Sequence, residues 1–244
     1  MLQNTATLRI ACVGDSLTRG DGSHEGRTQH PARGNYPAAL QRLLGDSYIV
    51  RNFGHGGATS CNASDVPFES TRAFRRAKAF RPHVAVLMLG TNDAKQKHWT
   101  GLCLPGADYL LSGLRRISSA LRPSSRGPRA ALLLVSPPPI LKERWGIRRA
   151  LILRAVNAIR RHAEDAACQQ TRRRSRKPLG NPPPCELGST YLTPSLPFWS
   201  EDATARRASF VDDGIHLNRQ GSQRLAAVVR DALRETGCLN VSRG

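Results

Sequence analysis

Ile10-Ala-Cys-Val13 is an apolar run of strand length that breaks at Gly14 and leads straight into the polar turn Asp15-Ser16. A chain that opens this way constrains its own fold, because a short buried strand needs neighbours of the same kind. Val84 to Leu89 is one, a continuous apolar run suited to a parallel strand buried on both faces, and Ala130 to Val135 is another. Ser16 would then sit just past the end of a strand. In an open α/β sheet, ligands bind outside the carboxyl ends of the strands. A serine there can be a nucleophile only if a base, an orienting acid and oxyanion donors arrive from elsewhere.

The segments between these runs carry helical spacing or turn signals. Tyr36 to Leu44 has Ala39, Leu40, Leu43 and Leu44 on one face, Pro37 suited to a first turn, and Gly45 to stop it. Tyr48 to Phe53 reads as the second strand and feeds the cluster Gly54, Gly56 and Gly57. Ser70 to Phe80 reads as a basic helix halted before Pro82, Tyr109 to Leu121 and Ile147 to Ala166 as amphipathic helices, and Gln220 to Glu235 as the closing helix. A fifth strand is expected within Cys185 to Leu192. Residues 21 to 35, rich in Gly, His and Arg, read as a loop at the site's mouth, with His24 and His30 on its surface. Cys168 to Cys185 contains Arg172-Arg-Arg-Ser-Arg-Lys177 and Pro182-Pro-Pro184, a charged, proline-rich surface insertion that cannot pack a core. Phe198, Trp199 and Phe210 read as either a wall of the site or part of the core.

Three later stretches supply what Ser16 lacks. Asn52-Phe-Gly-His-Gly-Gly-Ala-Thr59 brings glycines that let a backbone N–H approach a ligand, and Leu89-Gly-Thr-Asn-Asp93 brings an uncharged amide at a strand end. Asp213-Gly-Ile-His216 places a carboxylate three residues before an imidazole, so that one turn can bring them together. Thr59 occupies the last glycine position of a dinucleotide fingerprint, which makes that reading poor. No G-x-S-x-G elbow is present, which argues against the ordinary α/β-hydrolase fold.

These four blocks, in this order, resemble the SGNH (GDSL-type) hydrolase family from about Leu8 to the C-terminal helix. The resemblance implies a three-layer α/β/α sandwich around a mostly parallel five-stranded sheet of flavodoxin-like type, one domain over residues 1–244. It implies a serine hydrolase with Ser16 as nucleophile, His216 as base and Asp213 as its orienting acid. The oxyanion donors would be the Ser16 and Gly57 N–H groups and the Asn92 side chain. Asp15 and Asp93 would brace loops, Asp212 has the wrong spacing to serve His216, and His55 is a packing or rim residue. Thr91-Asn-Asp-Ala-Lys95 with Trp99, Tyr36-Pro37, Arg51-Asn-Phe-Gly54 and Ser136-Pro-Pro-Pro139 are similar to the sialate O-acetylesterase-like subgroup. That similarity implies a small-molecule ester substrate, an acetylated carbohydrate first and a lysophospholipid or thioester second. No metal or organic cofactor is implied.

The net charge of +19 comes almost wholly from arginine, with five lysines among 37 basic residues. Such a charge raises nucleic-acid binding, or a catalytically silent module for anionic polymers, as alternatives. The basic residues are scattered, without an RNA-binding motif or a series of aromatics, and this favours solvated faces over a specific nucleic-acid site. No stretch approaches the ~20 apolar residues a membrane helix needs. Met1 to Thr7 lacks a basic region followed by an apolar one, so the expected compartment is the cytosol. The cysteines at 12, 61, 103, 168, 185 and 238 show no metal spacing; Cys12 reads as a buried thiol, and Cys168 with Cys185 could pair in an oxidising compartment.

Overall fold

A computed structural model describes residues 7–23, 34–100, 106–121, 130–174, 190–193 and 202–239, with backbone alone for 165–174 and 190–193. His24, His30, Cys103, Cys185, Phe198 and Trp199 lie outside the described residues, as does any pairing of Cys168 with Cys185.

Among the described residues, five strands, β1 (Leu8–Gly14), β2 (Tyr48–Gly54), β3 (Val84–Met88), β4 (Ala131–Val135) and β5 (Thr190–Thr193), form one sheet in the order β2-β1-β3-β4-β5. Every pairing is parallel, with Ile10 opposite Val84 and Val84 opposite Ala131. This is the doubly wound order in which the chain reverses direction of travel across the sheet between β1 and β3, leaving a crevice at their carboxyl ends. The α-helices among the described residues are α1 (Ser16–Arg19), α2 (Tyr36–Leu44), α3 (Arg72–Phe80), α4 (Lys97–Thr100), α5 (Gly106–Leu121), α6 (Arg149–Arg174), α7 (Ala203–Arg207) and α8 (Arg219–Glu235).

Strand side chains alternate between two cores. Ile10, Cys12, Val84, Val86, Leu133 and Val135 pack with α2 and α8 through Leu40, Leu225 and Val229. Ala11, Val13, Ala85, Leu87, Leu132 and Leu134 pack with α3, α5 and α6 through Phe74, Leu114, Ile117 and Ile159. Burial on both faces is why β3 and β4 read as unbroken apolar runs. Cys12 is a free thiol whose pKa burial pushes up to about 12. Phe210 belongs to the first core rather than to a wall of the site. A smaller cluster of Ala94, Ile140, Ile147, Ile152 and Ile215 lies outside the two layers and ties three loops together.

The caps explain where several helices begin and end. Asn35 accepts the Ala38 N–H at 2.9 Å to start α2, and Gly45, at φ 76°, ends it with its N–H on the Gln41 carbonyl. The basic helix starts at Arg72 rather than Ser70, because Thr71 takes the Phe74 N–H at 3.1 Å and residues 68–70 form a separate 3₁₀ turn. The long helix α6 continues to Arg174, into the stretch expected to be a surface insertion. Cys168 to Arg174 contains no glycine or proline, so no breaker opposes the helix until later; residues 175–189 lie outside the described ones.

β2 forms an edge of the sheet, and one side chain covers part of it. Gln41 of α2 accepts the Val50 N–H at 2.7 Å and donates to the Tyr48 carbonyl at 3.0 Å.

Candidate active site

Ser16 is the first residue of α1, immediately beyond β1 at the crevice. Asp15 caps this short helix by accepting the Leu17 N–H at 2.9 Å, and Gly20, at φ 102°, closes it one turn later. The turn is tight enough to demand glycine at position 14. A Cβ there would lie 2.2 Å from Thr18 Oγ1 and 2.4 Å from the Met88 carbonyl. As the first helical residue, Ser16 has an N–H without an intrahelical partner.

The Asp213–His216 turn comes from the far end of the chain. Asp213 Oδ1 accepts the N–H groups of Ile215 at 2.7 Å and His216 at 2.8 Å, while Oδ2 meets His216 Nδ1 at 2.7 Å. Gly214 supplies the left-handed conformation, at φ 70°, that folds the carboxylate back over its own turn. His216 Nε2 lies 2.9 Å from Ser16 Oγ. With the carboxylate on Nδ1, that nitrogen carries the proton and Nε2 is free to accept one. Burial alone would raise the Asp213 carboxyl. The hydrogen bonds from the His216 ring and from two N–H groups outweigh it and hold the group below its usual range, ionised. Asp212 takes no part with His216; its carbonyl accepts from Lys142 Nζ at 2.7 Å.

Gly57 and Asn92 stand at the same crevice, from the turns after β2 and β3. Gly57 adopts φ 76° and has open space around it, with Val66 Cγ2 at 3.8 Å the nearest atom to a built Cβ; its backbone angle requires glycine, not crowding. Asn92 Nδ2 donates to the Ala58 carbonyl at 3.2 Å, and its second proton faces Asp15 Oδ2 at a long 3.5 Å. That second N–H is therefore weakly engaged and available to a stronger acceptor. His98 holds the Asn92 backbone, its Nδ1 donating to the Asn92 carbonyl at 3.0 Å. Burial pushes the His98 pKa down, consistent with a neutral ring in this structural role.

Asp15 and Asp93 are buried braces. Asp93 Oδ1 collects the Ser60 N–H at 2.9 Å, the Ser60 hydroxyl at 2.7 Å and the Cys61 N–H at 3.3 Å, locking the turn after β3 to the one after β2. Burial raises both carboxyls, Asp15 to about 7, helped by the neighbouring Asp93 charge and opposed by the Leu17 N–H.

The family model of the GDSL-like lipases and acylhydrolases matches residues 12–224. The chain belongs to that family. An acetylxylan esterase from Xylanibacter ruminicola is 29% identical over 242 residues, covering 93% of this chain and 43% of that protein, so the chain spans less than half of its relative's length. A carbohydrate acetylesterase from Sinorhizobium meliloti superposes with a TM-score of 0.65 at 17% identity, over 94% of this chain and 99% of the other. An aryl esterase from M. smegmatis does so with a TM-score of 0.62 at 17% identity, over 94% and 100%. At such identities the two structures establish the fold.

On this GDSL-type frame Ser16, Gly57, Asn92 and His216 open onto one cleft of about 260 Å³, which Arg19, Asp21, Lys95, Trp145, Ile147 and Ile215 complete. Arg19 Nε donates to Asp21 Oδ1 at 2.6 Å. A larger concavity of about 580 Å³ between α2 and β2 shares Arg19 but contains none of these four residues. His55 lines neither; its N–H donates to the Gly14 carbonyl at 3.0 Å. Trp145 and His98 escaped the sequence reading. The pair Trp145-Gly146, an aromatic in a polar stretch before a glycine, was the available signal for the first. A histidine six residues past Asn92 gives no signal for the second.

Proposed function

We propose that this chain is a serine esterase that removes an acetyl group from a carbohydrate through an acyl-Ser16 intermediate. The observation that carries the reading is the continuous hydrogen-bonded line from Ser16 Oγ through His216 to Asp213. His216 Nε2 takes the hydroxyl proton as Oγ attacks the ester carbonyl, and Asp213 stabilises the resulting imidazolium. The negative charge that develops on the carbonyl oxygen is met by the Ser16 and Gly57 N–H groups and the weakly engaged second N–H of Asn92 Nδ2. Collapse breaks the bond to the sugar oxygen, which leaves with the proton from His216. A water molecule then repeats the sequence: it gives its proton to His216, attacks the acyl carbon, and releases acetate as Ser16 regains its hydrogen.

The cleft of about 260 Å³ suits a small ester. The names of the relatives, an acetylxylan esterase and a carbohydrate acetylesterase, support a sugar ester. So does the sialate O-acetylesterase-like pattern in Thr91 to Lys95 with Trp99. Acetate release from acetylated xylan, compared with turnover of a lysophospholipid and an acyl thioester, tests the choice of substrate. Ser16→Ala and His216→Ala, each folded, should lose nearly all release. Near wild-type turnover in either variant refutes the nucleophile and base assignment, and lysolipid turnover without acetate release refutes the carbohydrate reading.

A further inference from the structure

Trp145 is placed where a structural tryptophan would not be. It remains 59% exposed, although it lines the cleft, and its ring centroid lies 5.8 Å from that of His216 at an interplanar angle of 50°. Its backbone sits at φ 52°, a left-handed conformation unusual for a bulky residue. The surrounding loop holds it there: Gln96 N–H donates to the Gly146 carbonyl at 2.8 Å and Arg148 N–H to the Ala94 carbonyl at 3.1 Å. Ile147, two residues before α6, is buried against Ile215, the residue before His216. One small apolar cluster therefore fixes the tryptophan and the imidazole relative to each other. Strain maintained at an exposed side chain beside a reaction centre points to a use for that side chain.

The proton path says which part of a substrate would meet it. His216 Nε2 must reach the departing oxygen to protonate it, so the leaving group passes His216, whereas the acyl carbonyl points to the Gly57 and Asn92 side. Trp145 borders His216 and hence the leaving group. We propose that Trp145 is a stacking platform for the sugar from which the acyl group is cut, a leaving-group subsite that selects pyranose esters. The inference rests on the carbohydrate-ester reading above. The apolar C–H face of a pyranose suits the flat indole, which offers large contact area with little conformational freedom to lose.

The test compares two acetate esters, an acetylated xylo-oligosaccharide and ethyl acetate, whose leaving group is too small to cover an indole. Trp145→Ala should lower kcat/KM for the sugar ester by about tenfold more than for ethyl acetate, as expected for removal of an aromatic anchor. The excess should fall on KM, and Trp145→Phe should recover most of it. In the Ser16→Ala background, calorimetry with the deacetylated oligosaccharide should show weaker binding when Trp145 is also alanine. Equal losses on both esters would overturn the proposal, leaving Trp145 as a prop for His216. So would an unchanged sugar ester rate. If the wild-type protein hydrolyses ethyl acetate but no acetylated sugar, the carbohydrate reading itself fails and takes this subsite with it.

Discussion

The turn that carries Asp213 and the turn that carries Asp15 each bring a carboxylate to the Ser16 end of the sheet, yet the protein moves their pKa values in opposite directions. Asp213 accepts three N–H groups within 2.8 Å and is kept ionised despite partial burial. Asp15 accepts one N–H at 2.9 Å and a distant amide at 3.5 Å, with Asp93 nearby, and burial lifts its pKa to about 7. The difference lies first in depth of burial, Asp15 being 1% exposed while the Asp213 side chain keeps 19%, and then in the number of donors that replace lost water. The carboxylate proposed to face an imidazolium keeps the larger share of hydrogen bonds, and the one that shapes a turn the smaller.

The sharpest way to break this contrast is Asp213→Asn. An amide cannot hold Nδ1 protonated and balance imidazolium charge, so esterase kcat should fall by about 10⁴ with the fold retained. A loss below tenfold would show that the carboxylate's charge is not needed. Asn92→Ala tests the neighbouring side of the cleft. Removing one oxyanion donor should lower kcat by roughly 10²–10³ with a smaller change in KM, read from full saturation curves. A pure KM effect would make Asn92 a substrate-binding residue instead.

Asp15→Asn probes the other carboxylate through stability. Because its folded pKa, about 7, stands above the ordinary value of 3.8, the folded protein keeps a proton that the unfolded chain gives up in between. The associated stability is complete below pH 3.8 and is lost as pH rises through 7. The melting temperature of the variant should therefore gain on that of the wild type between pH 4 and pH 8. At about 1.4 kcal/mol per unit the full swing is a few kcal/mol. Any fixed cost of placing a second amide beside Asn92 shifts both ends alike. A pH-independent difference would mean that Asp15 is ionised throughout. The smallest effect is Gly57→Ala: the site has room for a methyl group, so the left-handed φ alone should cost about 1–2 kcal/mol in denaturant unfolding.

The parts of this site that the sequence disclosed are those set by local chemistry. A strand broken at Gly14, a helix framed by Pro37 and Gly45, and an Asp-x-x-His turn each declare themselves within a few residues. The charge state of Asp15 was not legible, because it depends on burial and on Asp93, which is far away in the chain. Trp145 stayed hidden for a similar reason: its partner His216 is 71 positions later, and tertiary contacts such as the Ala94, Ile147 and Ile215 cluster and the Leu141 N–H on the Gly214 carbonyl bring the two loops together. The beginning of α3 falls at Arg72, not Ser70, because the Thr71 side chain caps the helix there. The extent of α6 was missed because the charged tail after Cys168 looks polar all round, and helix propensity carries it on to Arg174 regardless.

The side chain of Gln41 has an effect that reaches beyond a single molecule. An open strand margin is a template on which a second copy of the same chain can add its own strand, and this is how many sheet proteins begin to polymerise. By occupying the Val50 N–H and the Tyr48 carbonyl, one amide makes that margin a poor seed, and the exposed charge of Arg51 beside it repels an identical neighbour. A glutamine on a helix thus leaves fewer open ladder groups for another chain to pair with, a consequence for colloidal behaviour rather than for folding or turnover.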